Sequence, residues 1–337
     1  MIQDVTVKTV IKRGALVAAA NWQLTAIQFV ADSTFKMLVS VPVVGGVLLV
    51  ALVLGRDLPE LVGGDLRTSV AYVASALMAE PYALAAFLVA LGLVASTGAA
   101  FMVLVRGGTV VILALGEREA VAVEEPPLLL RPFLTAARFS LERYQSGCVA
   151  VFRRYLRLAL LLGVMYLLSG AAYLAILFGR YGVTLDNGFE WTMAAVTLSA
   201  AMVLWITLIN FIYLLIQAVI VVEDCSVRNA ARRVFGLLRA EPRLVFSVLG
   251  VVLGLVLGAT FVSLIATTSL GLIAFVPLAG LAVIPLQLLA WMFRGLVFQF
   301  LGLSALTAYL TVYRHHSSAV SDTAESDSTR PEPLERS

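Results

Sequence analysis

The chain has 337 residues, of which 61% are hydrophobic and 13% charged, with a mean hydropathy of +0.96. Soluble chains average about 45–50% apolar and about 25% charged residues, so the composition excludes a soluble globular domain and points to a membrane protein. A net charge of +3 gives no general basic surface and no case for a nucleic-acid partner; what matters is where the lysines and arginines fall.

The first 36 residues form an arm carrying Lys8, Lys12, Arg13 and Lys36. Gly14 to Ala31 is uncharged, yet Asn21, Thr25, Gln28 and Asp32 recur at i, i+4, i+7 and i+11. That polar stripe predicts an amphipathic elbow helix lying in the membrane interface, neither a span nor a signal peptide. A hydrocarbon core of roughly 30 Å takes about 20 apolar residues to cross as helix. Six segments qualify: 37–55, 82–105, 156–178, 193–222, 244–268 and 285–313. The alternating segments of about ten residues that build a barrel are missing, so the expected fold is an all-α polytopic bundle of six transmembrane helices. Leu270 to Trp291 is also apolar, but Pro277 and Pro285 interrupt it, and it reads as a re-entrant or interfacial piece before a long final helix. The tail, 314–337, is polar, acidic and rich in Ser and Pro, and is expected to be disordered.

Charge placement orients the bundle. The arm has four Lys or Arg, the segment between spans two and three has seven (Arg106, Arg118, Arg131, Arg138, Arg143, Arg153, Arg154), and Val221 to Arg243 has five; the loops between have only Arg56, Arg67 and Arg180. This bias predicts cytoplasmic N- and C-termini.

From Ser226 to Ala240 the apolar residues Val227, Ala230, Ala231, Val234, Leu237 and Leu238 share one face, while Arg228, Arg232 and Arg239 point elsewhere. This is a second elbow, with Asp224 or Ser226 as its N-terminal cap and Pro242 opening the next span. Moving the arm by 220 residues sets Lys12 and Arg13 on Arg232 and Arg233, and Asn21-Trp22 on Glu241-Pro242. Phe133 to Tyr155 is a third basic amphipathic segment before a span, so the chain reads as three copies of elbow plus hairpin. The basic side chains either only anchor topology or also hold anionic lipid headgroups; the candidates are Lys12, Arg13, Arg153, Arg154, Arg228, Arg232 and Arg233.

Three stretches carry a resemblance: QAVIVVEDCSVRNAARRVFGLLRAEPRLVF (Gln217 to Phe246), RGGTVVILALGERE (Arg106 to Glu119) and ALTAYLTVYR (Ala305 to Arg314). Together they resemble a broad group of uncharacterised bacterial polytopic membrane proteins, and they are similar to the membrane domain fused to some glycerophosphodiester phosphodiesterases. In the fused proteins catalysis belongs to a separate soluble domain with no counterpart in these residues. The resemblance therefore implies residence in a bacterial inner membrane and no activity, and it transfers no functional residue.

Chemistry is sparse. His315 and His316 are the only histidines and make a poor metal site, so neither a metal nor a cofactor is expected. Cys148 and Cys225 fall on the predicted cytoplasmic side, where thiols stay reduced. Phosphate-loop, nucleophile-elbow, zinc-protease and dinucleotide motifs are missing, and Gly107-Gly108 reads as a hinge.

Inside the membrane, Gly250, Gly254 and Gly258 form a small-residue stripe that predicts close helix packing, within the monomer or between copies in a homo-oligomer, with Gly92, Ser96 and Ala100 as partner surface. Gln287, Arg294 and Gln299 break the apolar run of the last span, and Asn210 and Gln217 on span four are the polar groups nearest in type. An arginine at the bilayer centre costs about 2.5–3.5 kcal/mol on insertion scales, relieved by snorkelling, a partner or a wet cavity. The leading expectation is a non-enzymatic integral membrane protein that organises membrane or envelope through anionic-lipid contacts. The alternative is a transporter or lipid-handling protein with a polar cavity around Arg294, and it requires Arg294 and Asn210 to line one water-accessible space.

Overall fold

The computed structural model describes residues 6–54, 78, 81–120, 139–181, 188–274 and 279–328, and the secondary structure in them is helical throughout. In chain order the helices are α1 (Val7–Ala20), α2 (Trp22–Leu54), α3 (Pro81–Ala120), α4 (Leu141–Leu174, continuing as a π-helix over Ala175–Tyr181), α5 (Gly188–Val222), α6 (Val227–Ala240), α7 (Pro242–Ala274) and α8 (Ala279–Ser328). Six of them, α2 to α5, α7 and α8, are long and apolar enough to cross a membrane. The chain is therefore an all-α, multi-pass bundle, as composition and run length dictate.

The spanning helices are longer than a bilayer requires. At 1.5 Å rise per residue, the 40 residues of α3 reach about 60 Å and the 50 of α8 about 75 Å. The surplus builds a packed base at one end. Within the compact unit formed by 1–26 and 106–337, every residue of α8 from Leu303 to Tyr313 except Thr311 is buried. A helix buried on all sides marks a core, and α1, α5 and α7 pack on it. Away from the base the same helices expose apolar bands, Leu160 to Leu174 on α4, Val251 to Ile273 on α7 and Ile284 to Phe293 on α8, which suit hydrocarbon and not water. The second unit, 27–105, is a hairpin of α2 with the first part of α3. In it the Phe87 ring fills the space beside Gly46 and the Phe35 ring that beside Gly98.

The 220-residue repeat is visible residue by residue. α1 and α6 are both 14 residues long, starting at Val7 and Val227 and ending at Ala20 and Ala240. Each begins after an extended hydroxyl residue, Thr6 or Ser226, whose carbonyl accepts the first helical hydrogen bond from Val10 or Ala230. Each stops at one non-helical residue, Asn21 (φ −108°, ψ 43°) or Glu241 (φ −128°, ψ 55°), before the next helix starts. Val10, Gly14 and Val17 are buried on α1, and their counterparts Ala230, Val234 and Leu237 on α6. α6 packs on α5, the span before it, whereas α1, with no span before it in this sequence, packs on α8. The last span thus plays for the first elbow the part that α5 plays for the second.

Several expectations change. The third elbow is not a separate helix: α4 runs unbroken from Leu141 through Arg153 and Arg154 into the span, because no cap residue or proline interrupts it as Asn21 or Pro242 does; 133–138 lie outside the described residues. The first span helix starts at Trp22 and not near 37, and the polar stripe faces protein, since Asn21, Thr25 and Gln28 are buried while Asp32 pairs with Lys36. Ser226 caps α6 through its backbone alone and Asp224 does not cap it. The stretch expected to be re-entrant or interfacial, Leu270 to Trp291, is helical where described: it ends α7 at Ala274 and opens α8 from Ala279, and 275–278 lie outside the described residues. α8 stays helical to Ser328, into the stretch expected to be disordered, since extending a helix avoids the cost of nucleating one. Gly107-Gly108 is no hinge but a close-packing point inside α3, where Val151, Cys148 and Tyr144 of α4 take the place of side chains.

Glycine matters most where two backbones meet. A side chain at Gly14 would meet the Ser304 carbonyl at 2.5 Å and the Ala308 amide at 2.8 Å, so α1 can approach α8 only because position 14 has none. A side chain added at Gly250, Gly254 or Gly258 would meet nothing within 4 Å among the described residues, so that stripe packs on no described part of the chain. Overpacking costs about 1–3 kcal/mol, so Gly14→Val lowers the thermal midpoint of the purified protein by several degrees while Gly250→Val leaves it unchanged. Equal midpoints for the two variants contradict the α1–α8 contact.

Candidate functional site

The base is held by two carboxylates at the ends of two spans. Glu117, on the last turn of α3, has a side chain only 2% exposed. Arg13 of α1 reaches it with Nη2 at 3.4 Å from Oε1 and also donates to the Glu117 carbonyl at 3.2 Å. Arg314 of α8 pairs with the other carboxylate oxygen and donates to the Ala114 carbonyl at 2.7 Å. Glu223, just past α5, is held in the same way: Arg233 of α6 pairs with Oε2, and the Tyr313 hydroxyl of α8 donates to Oε1 at 2.8 Å. Arg13 and Arg233 are equivalent positions of the two elbows, and Tyr313 and Arg314 are neighbours. One turn of α8 therefore bolts both elbows to the spans that reach them.

This arrangement sorts the basic residues. Arg13, Arg154 and Arg233 were headgroup candidates, but each is engaged by an acid, Glu117, Asp224 and Glu223 respectively. Arg13 is withdrawn from the set outright because burial leaves it 7% exposed. Lys12, Arg153, Arg228 and Arg232 are exposed and make no ion pair with a described residue. Arg157, counted in the sequence as part of span three, joins them. On α6 the free arginines form a stripe, Arg228, Arg232 and Arg239, about opposite the buried face at 100° per residue, and Phe235 beside them is 53% exposed. Asp224 takes a left-handed backbone (φ 45°), which Asp tolerates, and the Arg154 guanidinium holds its carboxyl below the usual carboxylate range.

The intramembrane polar residues do not gather round Arg294. Arg294 is exposed and lies over the Phe298 ring at 5.7 Å. It is 15 positions beyond Ala279, about 22 Å along the helix. With the start of α8 at one face of a hydrocarbon layer of roughly 30 Å, its guanidinium can snorkel to the opposite interface. Gln287 and Gln299 are half-buried on the same helix. Gln217 takes a different partner, Arg106, whose Nε donates to its Oε1 at 3.4 Å, and Tyr155 donates to its backbone carbonyl at 2.8 Å. Asn210 accepts from the Tyr166 hydroxyl at 2.5 Å. Arg106 counts in the sequence among the charges between spans two and three; in the structure α3 continues past it.

Two cavities open between α4 and α5, both apolar. The larger, about 460 Å³, is lined by Leu168, Tyr173, Leu198 and Trp205 among others. The smaller, about 280 Å³, lies nearer the base, and the two meet at Met165. Among the described residues no three His, Cys, Asp or Glu side chains come together as metal ligands. His316 pairs with Glu241 at 3.5 Å, tying α8 to the second elbow, and Cys148 and Cys225 are free thiols.

No family model, curated protein or solved structure matches the chain.

Removing one partner of a buried ion pair costs about 3–5 kcal/mol. Glu117→Gln is therefore expected to destabilise the protein by about that amount, and Glu119→Gln, which loses only a half-exposed pair with Arg143, by under about 0.5 kcal/mol. Denaturant unfolding in detergent measures both, and equal losses contradict the assignment of Glu117 as the buried bolt.

Proposed function

We propose that this is a non-enzymatic integral protein of a bacterial inner membrane, with its base on the cytoplasmic side, and that it organises membrane or envelope by holding anionic lipid headgroups through its basic elbows. The observation that carries this reading is the sorting of basic residues. Arg13, Arg154, Arg233 and Arg314 are paired with acids, whereas the exposed Arg153, Arg157, Arg228 and Arg232 with Lys12 pair with no described acid and lie beside exposed apolar surface. Each basic residue near an anionic leaflet contributes about 1 kcal/mol. The excess of Lys and Arg at one end supports the cytoplasmic assignment, and the resemblance to membrane domains without catalytic function supports the absence of an activity of its own. The transporter alternative finds no support around Arg294, since Arg294, Asn210 and Gln217 each have different neighbours.

Orientation is tested with single cysteines in a background lacking Cys148 and Cys225. Glu60→Cys and Asp186→Cys should react with a membrane-impermeant maleimide from outside intact cells, and Arg228→Cys only after permeabilisation; the reverse pattern contradicts the orientation. For the headgroup contacts, lipid extracted with the protein from equimolar phosphatidylglycerol and phosphatidylcholine should be enriched in phosphatidylglycerol. The enrichment should fall toward the bulk ratio when Lys12, Arg153, Arg228 and Arg232 are all changed to Gln. An unenriched wild type leaves the elbows as topology anchors alone.

A further inference from the structure

The smaller cavity is where the apolar and basic features of the surface coincide. Its walls are Leu158, Leu161 and Met165 of α4, Ile212 and Ile216 of α5, and Phe235 of α6. On α4 and α5 the lining residues recur at i, i+3, i+4 and i+7, so each helix offers one continuous face to the groove. α6 closes its lower end. Around α6, the groove-lining Ala231 and Phe235 sit about 100–140° from the buried face Ala230, Val234 and Leu237, and Arg228 and Arg232 follow at about 160–200°. The chain thus passes from groove to cationic rim within one turn of helix. Arg157, one position before Leu158 and about 100° round α4 from it, is exposed, while Arg154 is already paired with Asp224.

The geometry points to a discrete site for one anionic phospholipid: an acyl chain lies in the groove between α4 and α5 against Phe235, and the phosphate is held by Arg157, Arg228 and Arg232. Charge complementarity selects this occupant. A helix from a protein partner would have to place acids against three arginines and still fill an apolar slot, whereas a phospholipid carries the two chemistries in that order along one molecule. The depth agrees, because Leu158 is 19 residues, or about 28 Å, from Leu177 at the end of the spanning stretch. The groove is therefore at the level of the leaflet next to the elbows. Met165, shared with the larger cavity, gives the chain end room to extend toward the middle of the membrane. This proposal rests on the headgroup reading above and sharpens it, from a diffuse basic surface to a single site.

The test is native mass spectrometry of the full chain released from vesicles of equimolar phosphatidylglycerol and phosphatidylcholine. One phosphatidylglycerol per chain should survive detergent removal. Leu161→Trp or Ile212→Trp, which fill the groove, should lower that occupancy at least ten-fold while the looser lipid shell stays rich in phosphatidylglycerol. Arg228→Gln with Arg232→Gln should abolish the preference for phosphatidylglycerol in the retained lipid. Should the tryptophan variants unfold, Phe235→Trp provides a second measurement: acyl-brominated phosphatidylglycerol should quench its added fluorescence, above that of the four native tryptophans, more strongly than brominated phosphatidylcholine. Retention of phosphatidylglycerol at wild-type level in folded groove-filled variants, or equal quenching by the two lipids, overturns the site and leaves the general headgroup reading standing. A wild type whose whole lipid shell lacks any anionic preference overturns both.

Discussion

Two carboxylates, Glu117 and Glu223, fix the architecture of the base. Each ends a span, and each is gripped by the equivalent arginine of an elbow and by one of two neighbouring residues on α8. Burial makes the Glu117 contacts consequential, since a half-made ion pair in a low-dielectric interior costs more than the complete pair contributes, while the pair of Glu223 with Arg233 is more exposed. The elbows are therefore held in a defined place relative to α8 and to the spans that reach them. Hydrophobic packing alone could not do this, because in lipid one apolar helix face is as well solvated as another.

From that constraint the two-solvent design follows. Near the base, helices meet on small residues and polar bonds, as where α1 lies on α8 at Gly14 and where α4 fills the space beside Gly107 and Gly108. Beyond it, the bundle turns Leu, Val, Ile and Phe outward and leaves the Gly250, Gly254 and Gly258 stripe uncovered. The repeated unit of incoming span, elbow and outgoing span occurs once as α5, α6 and α7. It occurs again across the chain ends, with α8 in the place of the incoming span for α1 and α2. The basic side chains that this scaffold leaves unpaired are presented outward beside a greasy groove.

Much of this was legible in the sequence and part was not. Run length and hydropathy sufficed for six spans, since the cost of unpaired backbone in lipid permits little else. The 220-residue offset found the equivalence of Arg13 and Arg233 because cap, basic and apolar positions repeat together. What local pattern cannot convey is partnership at long range. Arg13 and Glu117 are 104 residues apart, and nothing in the alternation of the arm distinguishes the buried Arg13 from the exposed Lys12 beside it. Gln217 looked like a partner for Arg294 by type alone, while its actual neighbour Arg106 was hidden by being counted as a loop charge. The glycine stripe on α7 misled for the opposite reason: its spacing permits close packing, but only a facing helix decides whether packing happens, and no described residue faces it. The useful signal was the first acid after a span on the basic side, as at Glu117 and Glu223, where an unpaired carboxylate would be unfavourable.

The central claim is the coupling of α3 to α8 through Glu117, and a double-mutant cycle of Glu117→Gln and Arg314→Gln, read by denaturant unfolding of the full chain, tests it most directly. The structure predicts a coupling energy of about 1–3 kcal/mol, the range for residues sharing one ion-pair network, with the double variant losing less than the two single losses together. Additive losses would mean that the two groups do not meet, and that something else holds the base together.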